Sequence, residues 1–315
     1  MTSDTKPLVV RPEVLGSGPG EASAETFGPS SLYFAWPWRL GQLINGFIPR
    51  ASRQTLARLA AGLYGRCNPA RMEVLCDNLR PALKGGDDPS IAAKRLLENF
   101  CLKLSHLWDY ESGRSLERYL LPPDGASPLS FSPSAGTLIV TVHLGNWEFG
   151  APYLVQHGIE PYVITLEEPD PRLTRLRQRA RGGRRVHTLV IGNDPFSFLE
   201  VIKKLQEGKV VALLMDRPPK GSSTRVELFG KAFHASVAAA ELARATGCDI
   251  VPVVMPFTAG RYRPRILQKI IYDRPSLRSK ETRDALTQQI ISVFEPAIAE
   301  YIEQWYHFIP IWPKA

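Results

Sequence analysis

The chain reads as an α/β protein: a central, mostly parallel or mixed sheet flanked by helices, with a helical region at its N-terminal side. Three observations predict this. Past residue 120, short apolar runs of β-forming residues alternate with amphipathic segments, the pattern of strands buried between two helix layers. Residues 51–118 instead carry apolar side chains at threes and fours, as in Leu56, Leu59, Leu63 and Leu75, Leu79, Leu83. A length of 315 residues with 44% hydrophobic content supplies a sizeable core.

Taken in order, residues 1–30 are rich in Gly, Pro, Ser, Thr and Glu without an apolar period, and read as a disordered leader with nothing catalytic in it. SLYFAWPWRLGQLINGFIP (31–49) concentrates Tyr33, Phe34, Trp36, Trp38 and Phe47, but Pro37, Arg39, Gln42 and Asn45 interrupt it. It falls short of the about 20 consecutive apolar residues a bilayer span needs. It suits either a segment lying in the headgroup interface or an amphipathic helix packed on the protein's own core. Helices continue to about residue 120, so 31–120 form a helical region, membrane-facing on the interfacial reading, and 121–315 the α/β core. In that core TLIVTV and PYVIT are strands, PRLTRLRQRARGG a helix, VHTLVI a strand, PFSFLEVIKKLQEG a helix, KVVALLM a strand, SVAAAELARATG a helix and DIVPVVM a strand. RYRPRILQKIIYD adds an edge strand and 279–303 a closing helix. No repeat divides the chain, and 31–315 are expected to form one structural unit.

A net charge of +8 and a pI near 9.4 favour anionic partners: phosphate headgroups, an acidic carrier protein or nucleic acid. Seven arginines crowd RLTRLRQRARGGRR, namely Arg172, Arg175, Arg177, Arg179, Arg181, Arg184 and Arg185. On a helix they surround the axis, so the run is either a solvated face or, through residues such as Arg177 and Arg181, a site for an anionic membrane surface or an acidic carrier. No nucleic-acid motif accompanies it, and no nucleic-acid partner is expected. Cys67, Cys76, Cys101 and Cys248 form no CxxC pair and no signal peptide is evident, which predicts free thiols in a reducing cytosol. The six histidines show no HExxH or Cys–His spacing, so no metal is expected. Trp305, Tyr306 and Trp312 serve either as an interfacial anchor or as a last strand packed on the core.

The segment LIVTVHLGNWEFGAPYL (138–154) ends an apolar strand on His143, with Glu148 five places on. On one helix the two would stand about 500° apart, on different faces. With a strand ending at Val142, a turn through Gly145 and a helix starting near Asn146, both converge at the carboxyl edge of the sheet, where open α/β sheets bind ligands. Glu148 would then orient the imidazole and make His143 a general base, while N–H groups at the helix start receive developing negative charge. No G-x-S-x-G elbow is present and no cysteine has an evident partner, so the nucleophile is expected to be an acceptor hydroxyl of the substrate. For the motif alone, a histidine merely satisfied at a strand end is the competing reading.

HLGNWE (143–148), LMDRPPKGSSTRVELFGKAFHASVAAAELARATGCDIVPVVMPF (214–257) and YIEQWYHFIPIW, in that order, resemble the bacterial late acyltransferases of lipid A biosynthesis, within the lysophospholipid acyltransferases marked by His-x4-Asp/Glu. The resemblance runs from about residue 35 to 312. It implies a glycerolipid-acyltransferase-like fold and transfer of a fatty acyl chain from an acyl carrier protein or coenzyme A thioester, a co-substrate with no cofactor. The acceptor it implies is a hydroxyl of a membrane glycolipid or lysophospholipid, at the cytoplasmic face of the bacterial inner membrane. His143 carries the base role, Glu148 supports it, and Asp216 matches an acidic position near the histidine, unless it is only a turn residue before Pro218. Asn146, Arg217, Phe229, Gly230 and Lys231 become substrate-binding candidates; Gly230 allows close backbone approach and Lys231 adds charge, though Phe229-Gly230 also suits a hairpin turn. The chain departs from the pattern where Asp216-Arg217-Pro218-Pro219 replaces Asp-Gln, and in its degraded membrane-spanning segment, which leaves lipid A unassured as the acceptor. A hydrolase using the same base on water, or a non-catalytic lipid-binding protein, are the rival readings.

Overall fold

The computed structural model describes residues 34–83, 85–121, 135–191, 197–219 and 221–313; the leader expected over 1–30 lies outside them. Four helices come first: α1 (Ala35–Phe47), α2 (Arg50–Cys67), α3 (Pro69–Leu79) and α4 (Pro89–Glu111). Proline opens both α3 and α4, where its missing N–H costs no intrahelical bond and its fixed φ suits the first turn. Asp88 caps α4 by accepting from the Ser90 N–H.

The alternating region then gives β1 (Thr137–Thr141), α5 (Gly150–Gln156), β2 (Pro161–Leu166), α6 (Pro171–Gly182), β3 (His187–Ile191), α7 (Ser197–Gln206) and β4 (Val210–Leu214). A hairpin of β5 (Ser223–Leu228) and β6 (Lys231–Ser236) leads to α8 (Ala238–Thr246) and β7 (Asp249–Val254). Short strands β8 (Phe257–Thr258), β9 (Arg261–Tyr262) and β10 (Arg265–Ile266) precede α9 (Lys280–Glu300). The main sheet has the order β10-β7-β1-β4-β2-β3; five strands run parallel and β10 lies antiparallel at one edge.

The structure departs from the expected strands in two places. RYRPRILQKIIYD is not one edge strand: Arg261–Tyr262 pairs with Phe257–Thr258, and only Arg265–Ile266 joins the main sheet. Pro264 between them has no N–H for a continuous ladder. Among the described residues the C-terminal segment past Gln304 forms no strand either, and carries Trp305 and Tyr306 into the core as irregular chain.

One face of the sheet, with Leu138, Val140, Val211, Leu213 and Ile250, shares a single apolar cluster with Leu75 of α3, Leu96 of α4, Leu205 of α7, Leu242 of α8 and Phe294 of α9. The opposite face, with Ile139, Ala212 and Val253, is covered by Leu154 of the two-turn helix α5. A third cluster joins Trp38, Leu107 and Tyr110 to Phe149 and Met255 beside the sheet's carboxyl edge. Ala35–Phe47 forms one helix with a packed and an exposed face. The inner face of α1 packs on α4, with Trp38 donating to Glu111 and Asn45 to Asp109, while Trp36, Leu43, Ile44 and Phe47 stand exposed. Among the described residues no helix is long and apolar enough to cross a membrane.

Candidate active site

The site is a consequence of strand register. β1 and β4 are adjacent and parallel, with Thr141 opposite Leu214, so the second residue beyond each pair, His143 and Asp216, leave the sheet side by side at its carboxyl edge. The His143 Nδ1 lies 2.7 Å from Asp216 Oδ1, and the His143 backbone N–H donates to Oδ2 at 2.8 Å. Trp305 Nε1 donates to the same carboxylate at 3.0 Å, and His307 Nε2 lies 2.8 Å from it. Burial by itself would raise the Asp216 pKa; the two imidazoles outweigh it and hold the carboxyl well below its usual range. Burial pushes His143 down to about 4 against the opposing pull of Asp216, which keeps the ring neutral near pH 7. Assigning the Nδ1 proton to the Asp216 bond leaves Nε2 as the basic nitrogen.

Gly145 makes the turn possible. Its φ is +63°, and a Cβ there would fall 1.9 Å from the Met255 carbonyl oxygen. Gly145→Ala is therefore expected to destabilise the protein by at least about 2 kcal/mol, combining left-handed strain with a backbone displacement. Urea unfolding followed by circular dichroism measures this, and an unchanged midpoint would refute the steric account. The turn also corrects an expectation: the Gly145 and Asn146 N–H groups are already spent on the Gln304 and Met255 carbonyls, both at 2.9 Å, and do not wait for developing charge.

The second correction concerns Glu148. Its carboxylate is held by Arg181 Nη2 at 2.8 and 3.0 Å, while the imidazole nitrogen that an orienting carboxylate would hold is bonded to Asp216. A short 3-10 turn over Trp147–Phe149 directs Glu148 toward α6, whereas register alone delivers Asp216. Burial would raise the Glu148 pKa, but the charges of Arg181, Arg177 and Lys103 bring it down to about 2. The arginine run thus splits. Arg181 is buried on Glu148; Arg177 pairs with Glu168 and lies 4.5 Å from the Trp38 ring.

Trp147, Glu148 and Arg181 line a pocket whose walls are mostly apolar, built in part by Ile139, Val163 and Ala212 of the sheet and Leu154 of α5, with Thr141 and Thr165 among them. Of the remaining candidates, Asn146 is fully buried with its side chain beside the Tyr262 hydroxyl, and Arg217 donates to the Tyr306 carbonyl at 2.6 Å. Phe229 and Gly230 form the tip of the β5–β6 hairpin at φ +52° and +68°. The Phe229 N–H bonds Glu295 of α9, and the ring lies 6.4 Å from Trp305; Lys231 is exposed. None of these three lines the pocket.

Sequence reasoning did not find Trp305 and His307 as partners of Asp216. The signal was present: two residues apart on irregular chain, they can face the same way, next to Tyr306, whose N–H donates to the His143 carbonyl at 2.8 Å. His143, Asp216 and His307 also bring three ligating atoms within 4.8 Å of one another, a set able to hold a metal ion. Here those atoms are engaged with each other in hydrogen bonds of 2.7 and 2.8 Å.

Comparison with known proteins gives this geometry a family. Over 180 residues the chain is 26% identical to a phosphatidylinositol mannoside acyltransferase of Mycolicibacterium smegmatis, covering 56% of this chain and 57% of that protein. The protein of the same name from Mycobacterium tuberculosis matches at 26% over 179 residues, 56% of this chain and 54% of the relative. The chain therefore spans little more than half the length of the curated relatives it matches. Among solved structures, a 1-acyl-sn-glycerophosphate acyltransferase of Thermotoga maritima aligns with a TM-score of 0.38 and 16% identity, over 81% of this chain and all of the other. The profile described as bacterial lipid A biosynthesis acyltransferase matches residues 132–314, which take in His143, Glu148, Asp216 and His307. The chain belongs to the bacterial lipid A biosynthesis acyltransferase family.

Proposed function

We propose that this protein transfers a fatty acyl chain from a thioester, carried by acyl carrier protein or coenzyme A, to a hydroxyl of a membrane glycolipid or lysophospholipid. The observation that carries the reading is the neutral His143, tied at Nδ1 to Asp216 and in ring contact with Trp147, which lines the mostly apolar pocket. The acyl chain occupies that pocket. The free Nε2 takes the proton of the acceptor hydroxyl as its oxygen attacks the thioester carbonyl, and the thiol leaves with a proton from the imidazolium. Asp216 holds the tautomer and stabilises the imidazolium, while the paired Glu148 and Arg181 line the pocket. His143 and Asp216 are the reacting pair, and no covalent enzyme intermediate is needed.

The acceptor is reached from the membrane surface. From residue 34 to 72 the chain has six arginines and no Asp or Glu, and the exposed face of α1 carries Trp36, Leu40, Leu43, Ile44 and Phe47. We assign this face to an anionic bilayer at the cytoplasmic side of the inner membrane, where apolar insertion and headgroup attraction act together. Leu43→Glu with Phe47→Glu is expected to weaken binding to phosphatidylglycerol vesicles at least about 10-fold, since each apolar side chain contributes about 2 kcal/mol. Sedimentation with vesicles measures it, and unchanged binding refutes the assignment.

The activity test mixes the protein with labelled acyl carrier protein thioester, or its coenzyme A equivalent, and total membrane lipid, and locates the label by mass spectrometry. Label on one lipid class supports transfer and names the acceptor. Label only in free fatty acid would make the protein a hydrolase, and no turnover with either donor would overturn the enzymatic reading.

A further inference from the structure

Lys103 lies on the inward side of α4 and is 3% exposed. A buried ammonium is ordinarily paired with a carboxylate or bonded to carbonyls, because the isolated charge is costly away from water. Among the described residues its contacts are instead aromatic. The Nζ stands 3.2 Å from the Trp147 ring centroid, with the Phe100 and Tyr306 rings at 5.7 and 5.6 Å. The Trp147 ring also meets the His143 imidazole, the centroids 4.7 Å apart and the planes at 70°. The indole therefore lies against both an ammonium and the base.

We propose that Lys103 is a positioning residue for His143: its ammonium, seated on the face of Trp147, fixes that indole against the imidazole and so sets the direction of Nε2. The inference rests on the acyl-transfer reading above. The Asp216 bond fixes one ring nitrogen of His143 and leaves the ring free to tilt about that bond; contact with a held indole removes the tilt. Attraction between a cation and an indole face is strongest where water is excluded, which describes this position. The charge also acts on Glu148, the residue after Trp147.

The contact is expected to depend on pH. Burial pushes the Lys103 ammonium down to about 7, against the pull of Glu148. The other charges acting on it are Arg177 on α6, Arg217 after β4 and Glu111 on its own helix. A lysine whose folded pKa is depressed loses its proton, and here its hold on Trp147, as pH rises through that value. Glu111 is itself shifted upward by burial, and Lys103→Arg separates the two because it leaves Glu111 in place.

The test compares wild type, Lys103→Met and Lys103→Arg by tryptophan emission and by steady-state kinetics with the labelled thioester, from about pH 5.5 to 9. Wild type is expected to show an emission transition near 7 and an alkaline loss of kcat with the same midpoint. Lys103→Met should lose the transition and lower kcat on the order of 10-fold, with the thioester KM changed less than about 3-fold. Lys103→Arg should retain most of kcat and lose the alkaline limb, since guanidinium stays charged. Wild-type kcat and pH profile in Lys103→Met, or an emission transition that persists in it, would overturn the proposal. Should circular dichroism show both variants misfolded, wild type decides: flat emission between about pH 6 and 8 overturns the proposal. The emission needs no substrate, so a wild type that transfers no acyl group rejects the functional reading and leaves the Lys103 result standing by itself.

Discussion

His143→Ala is expected to lower kcat for acyl transfer by about 10²–10⁴-fold, the usual contribution of a positioned general base. Binding should be affected much less, because the imidazole closes no part of the apolar walls formed by Ile139, Val163 and Ala212. Steady-state assays with vesicle-bound acceptor separate the two terms. Equal loss in kcat and kcat/KM places the residue in the transition state, whereas a rise in KM alone would remove it from the chemistry. The pH profile has a defined sign. The base must be neutral, and burial holds its pKa down to about 4, so on the acid side the wild-type rate should hold until pH drops through that value. Because the folded state binds this proton more weakly than the unfolded chain, acidification below about 6.5 also favours unfolding. Activity and folding must therefore be followed together on the acid side.

Asp216→Ala should be the most damaging single change to stability. Its carboxylate serves the His143 N–H and imidazole, Trp305 Nε1 and His307 Nε2, all in a buried site. Removing it strands these groups, and breaking such a buried network costs about 3–5 kcal/mol. Asp216→Asn keeps the shape and is the informative variant: an amide that donates toward Nδ1 enforces the wrong tautomer, for which a loss of about 10³–10⁴ in kcat is expected. The linkage sign is that of a depressed carboxylate. Its stabilisation is present above the unfolded value of 3.8 and is lost as pH falls through the still lower folded value. The gap in stability between wild type and Asp216→Asn should thus be full at neutral pH and shrink only in strong acid. A gap unchanged at low pH would show that Asp216 acts through shape and not charge.

Much of this protein is local information. The alternation past residue 120 specifies strands between helix layers because strand and helix periods differ, and a chain with both can bury its apolar side chains only in a layered sheet. The ordered blocks HLGNWE, LMDRPP and QWYHF carried the family resemblance, which the profile match over 132–314 supports. His143 was legible as well, since a polar residue ending an apolar strand reaches the sheet's carboxyl edge.

Its partner was not legible from spacing, and only the family resemblance set Asp216 near it. Glu148 is close in sequence and was the natural choice, but the distance that matters runs between strands. Asp216 lies 73 residues away and meets His143 only because β1 and β4 pair with Thr141 opposite Leu214. The same holds for Arg181 on Glu148, His307 on Asp216 and Lys103 on Trp147, which come from α6, the C-terminal segment and α4. Composition, periodicity and motif order determined the fold class, the family and the place of His143 at the sheet edge. Strand register and helix packing decided which charges the base and its neighbours meet, because long-range pairing is set by how faces bury against each other and leaves no fixed spacing in the chain.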